Sequence, residues 1–278
     1  MKFRVQSYSE LESWKPKALP HLRQNEGWNN LFWQIIQNRE KERYDGWAAN
    51  VFVSGETALS AIQTPSNFLL LSHGELLAVD ALAKYAISHE WKLDGVSGER
   101  NLVKQFLLGA NLVSMDLDTL SGREFKLFQS GTEEQTFECL DYELEQVSSL
   151  DWPRVRIWAQ QFALEADPPM NLSAITQLAK KLYSSKQLYV LKDMENHPCA
   201  MAGFGRSTNC YQVINMVYVP NELRRQGIAE QLINLMVQQS QRAGYEGCLL
   251  FSDWKGEPNL YDSMGFKQLG HFVEYDLA

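Results

Sequence analysis

The sequence predicts a mixed α/β protein in two parts, and three observations carry that reading. Short β-rich runs alternate with stretches of helical period, the pattern of a sheet covered by helices. Over 136–278 the order is β, α, α, β, β, β, α, β, α, β, which implies a mixed sheet with helices on both faces. The first half carries a shorter echo of the later part (strand 67–72, helix 76–88, a turn, helix 99–109), as a diverged internal duplication would leave it. At 278 residues the chain is long enough for two ordinary domains, and 45% apolar with 22% charged residues is a globular composition.

Element by element, helices are expected over 8–20 and 28–42; in the second, Trp28, Leu31, Phe32, Ile35 and Ile36 recur at helical spacing. "WAANVFVSGETALSAIQT" reads as two β runs joined at Ser54-Gly55, a hairpin signal. "NFLLLS" is a buried-strand run, "ELLAVDALAKYAISHEW" a helix, and "LDGVSGERNLVKQFLLGA" a turn followed by a helix. "SGREFKLFQS" is expected as an edge strand. The polar "GTEEQ" at 131–135 then marks the boundary, giving domains 1–130 and 131–278. Beyond it, "FECLDYELEQ" begins the second half as a strand. A helix follows with Pro153 in its first turn, where proline is tolerated, and then one begun by Ser173 or a neighbour. "QLYVLKD" and "CAMAGFGRS" are strands about the turn Asn196-His197-Pro198, with Gly203 and Gly205 as strand or bulge glycines. "YQVINMVYV" is a strand, 227–243 a helix stopping at Gly244, and "GCLLFSD" a strand. A short helix near 258–264 and the strand "KQLGHFVEYDL" complete the chain.

Charge and cysteine usage exclude several classes. A net charge of −8 argues against a nucleic-acid partner and suits a cationic one. Cys139, Cys199, Cys210 and Cys248 are scattered, without a Cys-x-x-Cys pair, so free buried thiols are expected rather than a disulfide framework or zinc. The histidines are isolated, and no metal is expected. No apolar run reaches the roughly 18 residues of a membrane span, and none near the start resembles a signal peptide. A cytoplasmic protein, monomer or homodimer, with no membrane or nucleic-acid partner is the expectation.

The most informative stretch is "VYVPNELRRQGIAEQL", residues 217–232. It sets Arg224 and Arg225 just before a helix on which Ile228, Leu232, Leu235 and Met236 share one stripe. A helix start exposes unpaired N–H groups and partial positive charge, so two arginines there are mildly unfavourable for stability. They are coherent as an anion site, with Gly227 letting the backbone approach a phosphate and Ala229 keeping the next position small. The competing reading is a solvated basic loop in which Glu222 partners one arginine. No Gly-Lys-Ser/Thr P-loop is present, and "GFGRST" lacks the third glycine of a dinucleotide fingerprint.

With these motifs the sequence resembles the GNAT superfamily of acetyl-CoA-dependent N-acetyltransferases. "VINMVYV", Pro220 and Arg224-Arg225-Gln226-Gly227-Ile228-Ala229 are similar to the family's strand and Gln/Arg-x-x-Gly-x-Gly/Ala loop, and "NLYDSMGF" to its Leu-Tyr-x-x-x-Gly-Phe element. The likeness covers 136–278; "IWAQQFALEA" and "VYVP" look like the subgroup with two tandem GNAT-like halves. The resemblance implies a C-terminal GNAT fold with splayed central strands and a degenerate N-terminal half, since "LLLSHGELLAVDAL" lacks the loop.

It also implies roles. Pantetheine would pair with the main chain of Met216, Val217 and Val219, where an N–H would serve as oxyanion donor. Arg224, Arg225, Gln226, Gly227, Ile228 and Ala229 would face the pyrophosphate. Asn259 lies near the family's asparagine but only two positions before Tyr261, with Trp254 about where that asparagine would fall. Tyr261 is the expected general acid, competing with a packed-aromatic reading, and Tyr261→Phe should lower turnover most at high pH. The base is open between Glu165, Asp253 and a water chain. Direct attack by an amine of a small molecule or peptide is preferred to an acyl-enzyme on Cys210 or Cys248. A non-catalytic module that holds coenzyme A is the alternative function.

Overall fold

The computed structural model describes residues 2–41, 47–64, 68–112, 120–132, 141–256 and 259–277. Its contacts divide into two compact units, Met1–Leu127 with Leu269–Ala278, and Phe128–Gln268.

The first unit contains β1 (Arg4–Tyr8), α1 (Leu11–Gln24), α2 (Asn30–Lys41), β2 (Ala48–Val53), β3 (Glu56–Gln63) and β4 (Phe68–Leu71). These are followed by α3 (Leu76–Ser88), β5 (Gly95–Glu99), α4 (Arg100–Gly109), β6 (Gly122–Gln129) and most of the chain's last strand, β12 (Lys267–Asp276). The strand order is β1-β2-β3-β4-β5-β12-β6, with β4 and β5 parallel. Ser54 and Gly55 both take positive φ, 51° and 90°, the conformation of a tight hairpin turn between β2 and β3. The core packs Val79, Leu82 and Ala83 of α3 and Val103 and Phe106 of α4 against Leu59, Leu71 and Val96 of the sheet.

Three expectations change here. Arg4–Tyr8 is a strand paired with β2, and α1 begins only at Leu11 and continues past Pro16 and Pro20 to Gln24. The turn expected in "LDGVSGE" is β5: the Phe68 ring would lie 2.3 Å from a Cβ on Gly95, so glycine serves close packing there. β6 is not an edge strand, because Ser130 N–H at its end donates to Cys248 O at 2.9 Å. The boundary stretch 131–135 falls partly outside the described residues.

The second unit follows the expected order up to α8, the expected last strand falling mostly in the first unit. It contains β7 (Tyr142–Gln146), α5 (Trp152–Glu165), α6 (Leu172–Ser184), β8 (Leu188–Asp193), β9 (Pro198–Ser207) and β10 (Tyr211–Tyr218). A 3-10 turn (Asn221–Leu223), α7 (Ile228–Arg242), β11 (Gly247–Ser252) and α8 (Leu260–Ser263) complete it. Part of "FECLDYELEQ", 137–140, lies outside the described residues. The strand order is β11-β10-β9-β8-β7, antiparallel except for β10 with β11. Asn171 rather than Ser173 caps α6, its Oδ1 accepting from Ala174 N at 3.0 Å. The helices do cover both faces. Ile228, Leu232 and Met236 of α7 pack on Leu191, Ala202, Ile214 and Leu250, while Val155 and Ala159 of α5 and Leu182 of α6 pack on Val190, Met201 and Tyr218.

Candidate functional site

The site begins where β10 parts from β11. The two pair in parallel at Tyr211, Gln212 and Val213, opposite Gly247, Cys248 and Leu249, and separate after Val213. The edge of Ile214–Tyr218 that would face β11 therefore has no strand partner among the described residues. On its other side β10 stays with β9 through a bulge: Asn215 faces Gly203 and Tyr218 faces Met201, so β10 carries one extra residue. Met216 takes φ 57° in that bulge, and its N–H donates to Asn215 Oδ1 at 3.0 Å. Val217 and Val219 continue the parted strand towards Pro220.

The chain then turns into α7. Arg225 has φ 62° and Gly227 φ 77°, and no side chain caps the first turn of the helix. A left-handed residue followed by a helical one turns successive N–H groups to one side, an anion-binding concavity. A Cβ on Gly227 would meet nothing within 4 Å. Ile228 is buried and Ala229 half-buried. Gln226 Nε2 donates to Glu222 O at 3.4 Å. Glu222 pairs with neither arginine, and Arg225 is exposed with no hydrogen bond or ion pair among the described residues.

Arg224 is placed differently. Its Nε donates to Val219 O at 2.8 Å, its Nη2 donates to Glu165 Oε2, and its guanidinium lies over the Tyr218 ring, 5.5 Å from the centroid. The Tyr218 hydroxyl lies 3.1 Å from both Glu165 Oε1 and Gln161 Oε1. Burial, with the Glu165 hydrogen bond and charge added, pushes the Tyr218 phenol up to about 12. The Arg224 and Glu165 side chains are 40% and 37% exposed, so their ion pair alone is worth only about 0–1 kcal/mol. What matters is the fixed place of the groups. Tyr218 and Gln161 were not foreseen as site residues, because Gln161 and Glu165 reach β10 only through the tertiary packing of α5.

On the α7 face, Asn259 caps α8, its Oδ1 accepting from Tyr261 N at 3.0 Å. Its Nδ2 is buried without a partner among the described residues. The Tyr261 ring packs between Phe128 and Phe266, with centroids 5.4 and 5.9 Å away. Its hydroxyl makes no hydrogen bond among the described residues, and burial, then the Asp253 charge, pushes its phenol up to about 12. Asp253, half-buried at the end of β11, has no hydrogen bond or ion pair among the described residues. Trp254 is exposed. Burial raises the Cys248 thiol to about 12 and raises that of Cys199, opposite to what a thiolate nucleophile needs. Cys210 is half-buried, and Cys139 lies outside the described residues. Among the described residues no three His, Cys, Asp or Glu side chains gather to hold a metal, and no helix is long and apolar enough to cross a membrane.

Residues 184–268, all within the second unit, match the acetyltransferase (GNAT) domain family. Solved structures of similar fold span both halves. A GCN5-related N-acetyltransferase from Sphaerobacter thermophilus covers 98% of this chain and 96% of its own at 14% identity, with a TM-score of 0.63. A Drosophila protein covers 98% of each chain at 10% identity and a TM-score of 0.60. An acetyltransferase of the GNAT family from Colwellia psychrerythraea covers 98% and 99% at 13% identity and a TM-score of 0.57. No curated protein matches the chain by sequence.

Proposed function

We propose that this chain, which has the GNAT fold and carries a GNAT domain over residues 184–268, is an N-acetyltransferase. It moves the acetyl group of acetyl-CoA to a primary amine of a small molecule or peptide, by direct attack with both substrates bound. The observation that carries this reading is the junction of the parted edge of β10 with the uncapped start of α7. An extended, amide-bearing arm that ends in phosphates matches both: a free strand edge for the arm, and converging N–H groups for the tail.

Three features support the fit. Space stands open at Gly227, Arg225 is an unpaired cation beside it, and Asn259 Nδ2 is a buried donor without an acceptor among the described residues. The arm would run along the main chain of Met216, Val217 and Val219; the tail would meet Arg225, Gln226, Gly227 and the N–H groups of Ile228 and Ala229. When bound, acetyl-CoA supplies an acyl group already activated as a thioester. With Met216 N–H held by Asn215, the oxyanion donor would be a main-chain N–H of Val217 or Val219.

Tyr261 Oη keeps its proton up to about pH 12. An ordinary thiol titrates near about 8.5, so such a phenol stabilises a leaving thiolate by donating a hydrogen bond rather than by surrendering the proton. Asp253, without a partner among the described residues, would take the amine proton, since both oxygens of Glu165 are engaged. The catalytic role falls to 131–278, and 1–130 acts as its degenerate, supporting half.

The test is the melting midpoint with and without acetyl-CoA, followed by thiol release with a panel of primary amines. A raised midpoint and thiol release with at least one amine are expected. An unchanged midpoint would overturn the reading, and a raised midpoint with no release from any amine would support a non-catalytic module that holds coenzyme A.

A further inference from the structure

We infer that Arg224 is a positioning residue and not a ligand of the phosphate tail. Together with Glu165, Tyr218 and Gln161 it holds the parted end of β10 against α5, and the cationic contact with the tail falls to Arg225. This deepens the acetyl-CoA reading above and rests on it.

The two arginines are neighbours in sequence but do opposite things. Arg225 takes a left-handed φ of 62° that throws its side chain into solvent, unpaired among the described residues. Arg224 is extended (φ −72°, ψ 161°) and folds back along the strand. Its Nε–Nη2 edge, one that could grip a phosphate with two parallel bonds, is divided between Val219 O and Glu165. The face of the same guanidinium covers Tyr218, whose hydroxyl reaches Glu165 and Gln161 on α5.

The location gives the network its purpose. β10 has lost β11 as a partner beyond Val213, and its bulge loosens the pairing with β9 between Asn215 and Tyr218. Without another support, the main chain of 216–219 would be free to close the gap or to wander. A planar fork presents two parallel N–H groups to Val219 O and Glu165 in one fixed geometry, which the freely rotating ammonium of lysine does not reproduce.

The test measures binding to the full chain of two probes by calorimetry: coenzyme A, and adenosine 3′-phosphate 5′-diphosphate, which has the tail without the arm. Arg225→Gln is expected to weaken both by about tenfold, the loss of one charge-assisted contact. Arg224→Lys keeps the charge but not the fork; it should weaken coenzyme A by about tenfold and leave the tail probe within about twofold. Glu165→Gln should reproduce that pattern, and the double variant should be no weaker than either single one, because the two side chains act as one unit. The inference is overturned if Arg224→Lys binds both probes like the wild type, if it loses the tail probe as strongly as coenzyme A, or if the two losses add. If the Arg224 variant does not fold, Tyr218→Phe removes only the hydroxyl and must show the same loss confined to coenzyme A. A wild-type chain that binds neither probe would overturn the acetyl-CoA reading itself, and this inference with it.

Discussion

The two units use the same strand–loop–helix element in opposite ways. In the first, β4 passes through Ser72-His73-Gly74-Glu75 into α3; in the second, β10 passes through residues 219–227 into α7. The short loop is packed shut. A Cβ on Gly74 would sit 2.4 Å from Ala58 O, whereas one on Gly227 would meet nothing. Gly98 of β5 lies close to Leu71 O at the end of β4, so these parallel strands stay together where β10 and β11 part. Charge differs as well. At the end of β5 the Glu99 carboxylate accepts from His73 Nδ1 at 2.7 Å, which would repel a phosphate tail, whereas the longer loop offers Arg225. On the acetyl-CoA reading proposed above, a cofactor site needs more than the fold; it needs a strand released from its neighbour and a loop long enough to leave the helix start open.

The largest expected effect bears on the face only the second unit has. Tyr261→Phe should lower turnover about 100-fold, within the usual range for a positioned proton-bearing group. Because the phenol stays protonated to about pH 12, the loss should be the same at pH 7 and pH 10, not greatest at high pH as the sequence suggests. Pre-steady-state acetyl transfer across that range reads it.

Next come the two glycines. Gly74→Ala overpacks against backbone and should destabilise by about 1–3 kcal/mol in urea, while coenzyme A affinity of the folded protein is unchanged. Gly227→Ala has room but a left-handed φ of 77°; it should cost about 1 kcal/mol and yet weaken coenzyme A about tenfold. Matching patterns at the two positions would break the comparison.

Smallest is an alkaline effect confined to the second unit's tyrosines. Tyr218 and Tyr261 titrate near 12 when folded against 10.0 ordinarily. The unfolded chain ionises first, so the stability they contribute is whole below pH 10 and is lost as pH rises from 10 to 12. The melting midpoint should fall through that window, and less so in the Tyr218→Phe, Tyr261→Phe double variant.

The second unit was legible nearly strand for strand, because its elements carry local signals: apolar periods, Pro153, Gly244, and the hairpin at 196–198. The first was less so. Among the described residues β1 pairs with β2 alone, and it shows no alternating apolar face; β5 hides behind glycines that serve packing against Phe68 and Leu71. Within the candidate site, the basic loop before α7 stands out in the residues themselves, while Tyr261 stands out only through the resemblance of "NLYDSMGF" to a known family element. The separate fates of Arg224 and Arg225 could not, since only the φ at each position and the approach of α5 decide them.

Amide hydrogen exchange on the full chain, with and without coenzyme A, tests the central contrast most directly. Exchange should slow at Ile228, Ala229 and Glu230 and along 217–219, and stay unchanged at Leu76 and Leu77 of the shut loop. Slowing at Leu76 and Leu77 with none at 228–230 would contradict it.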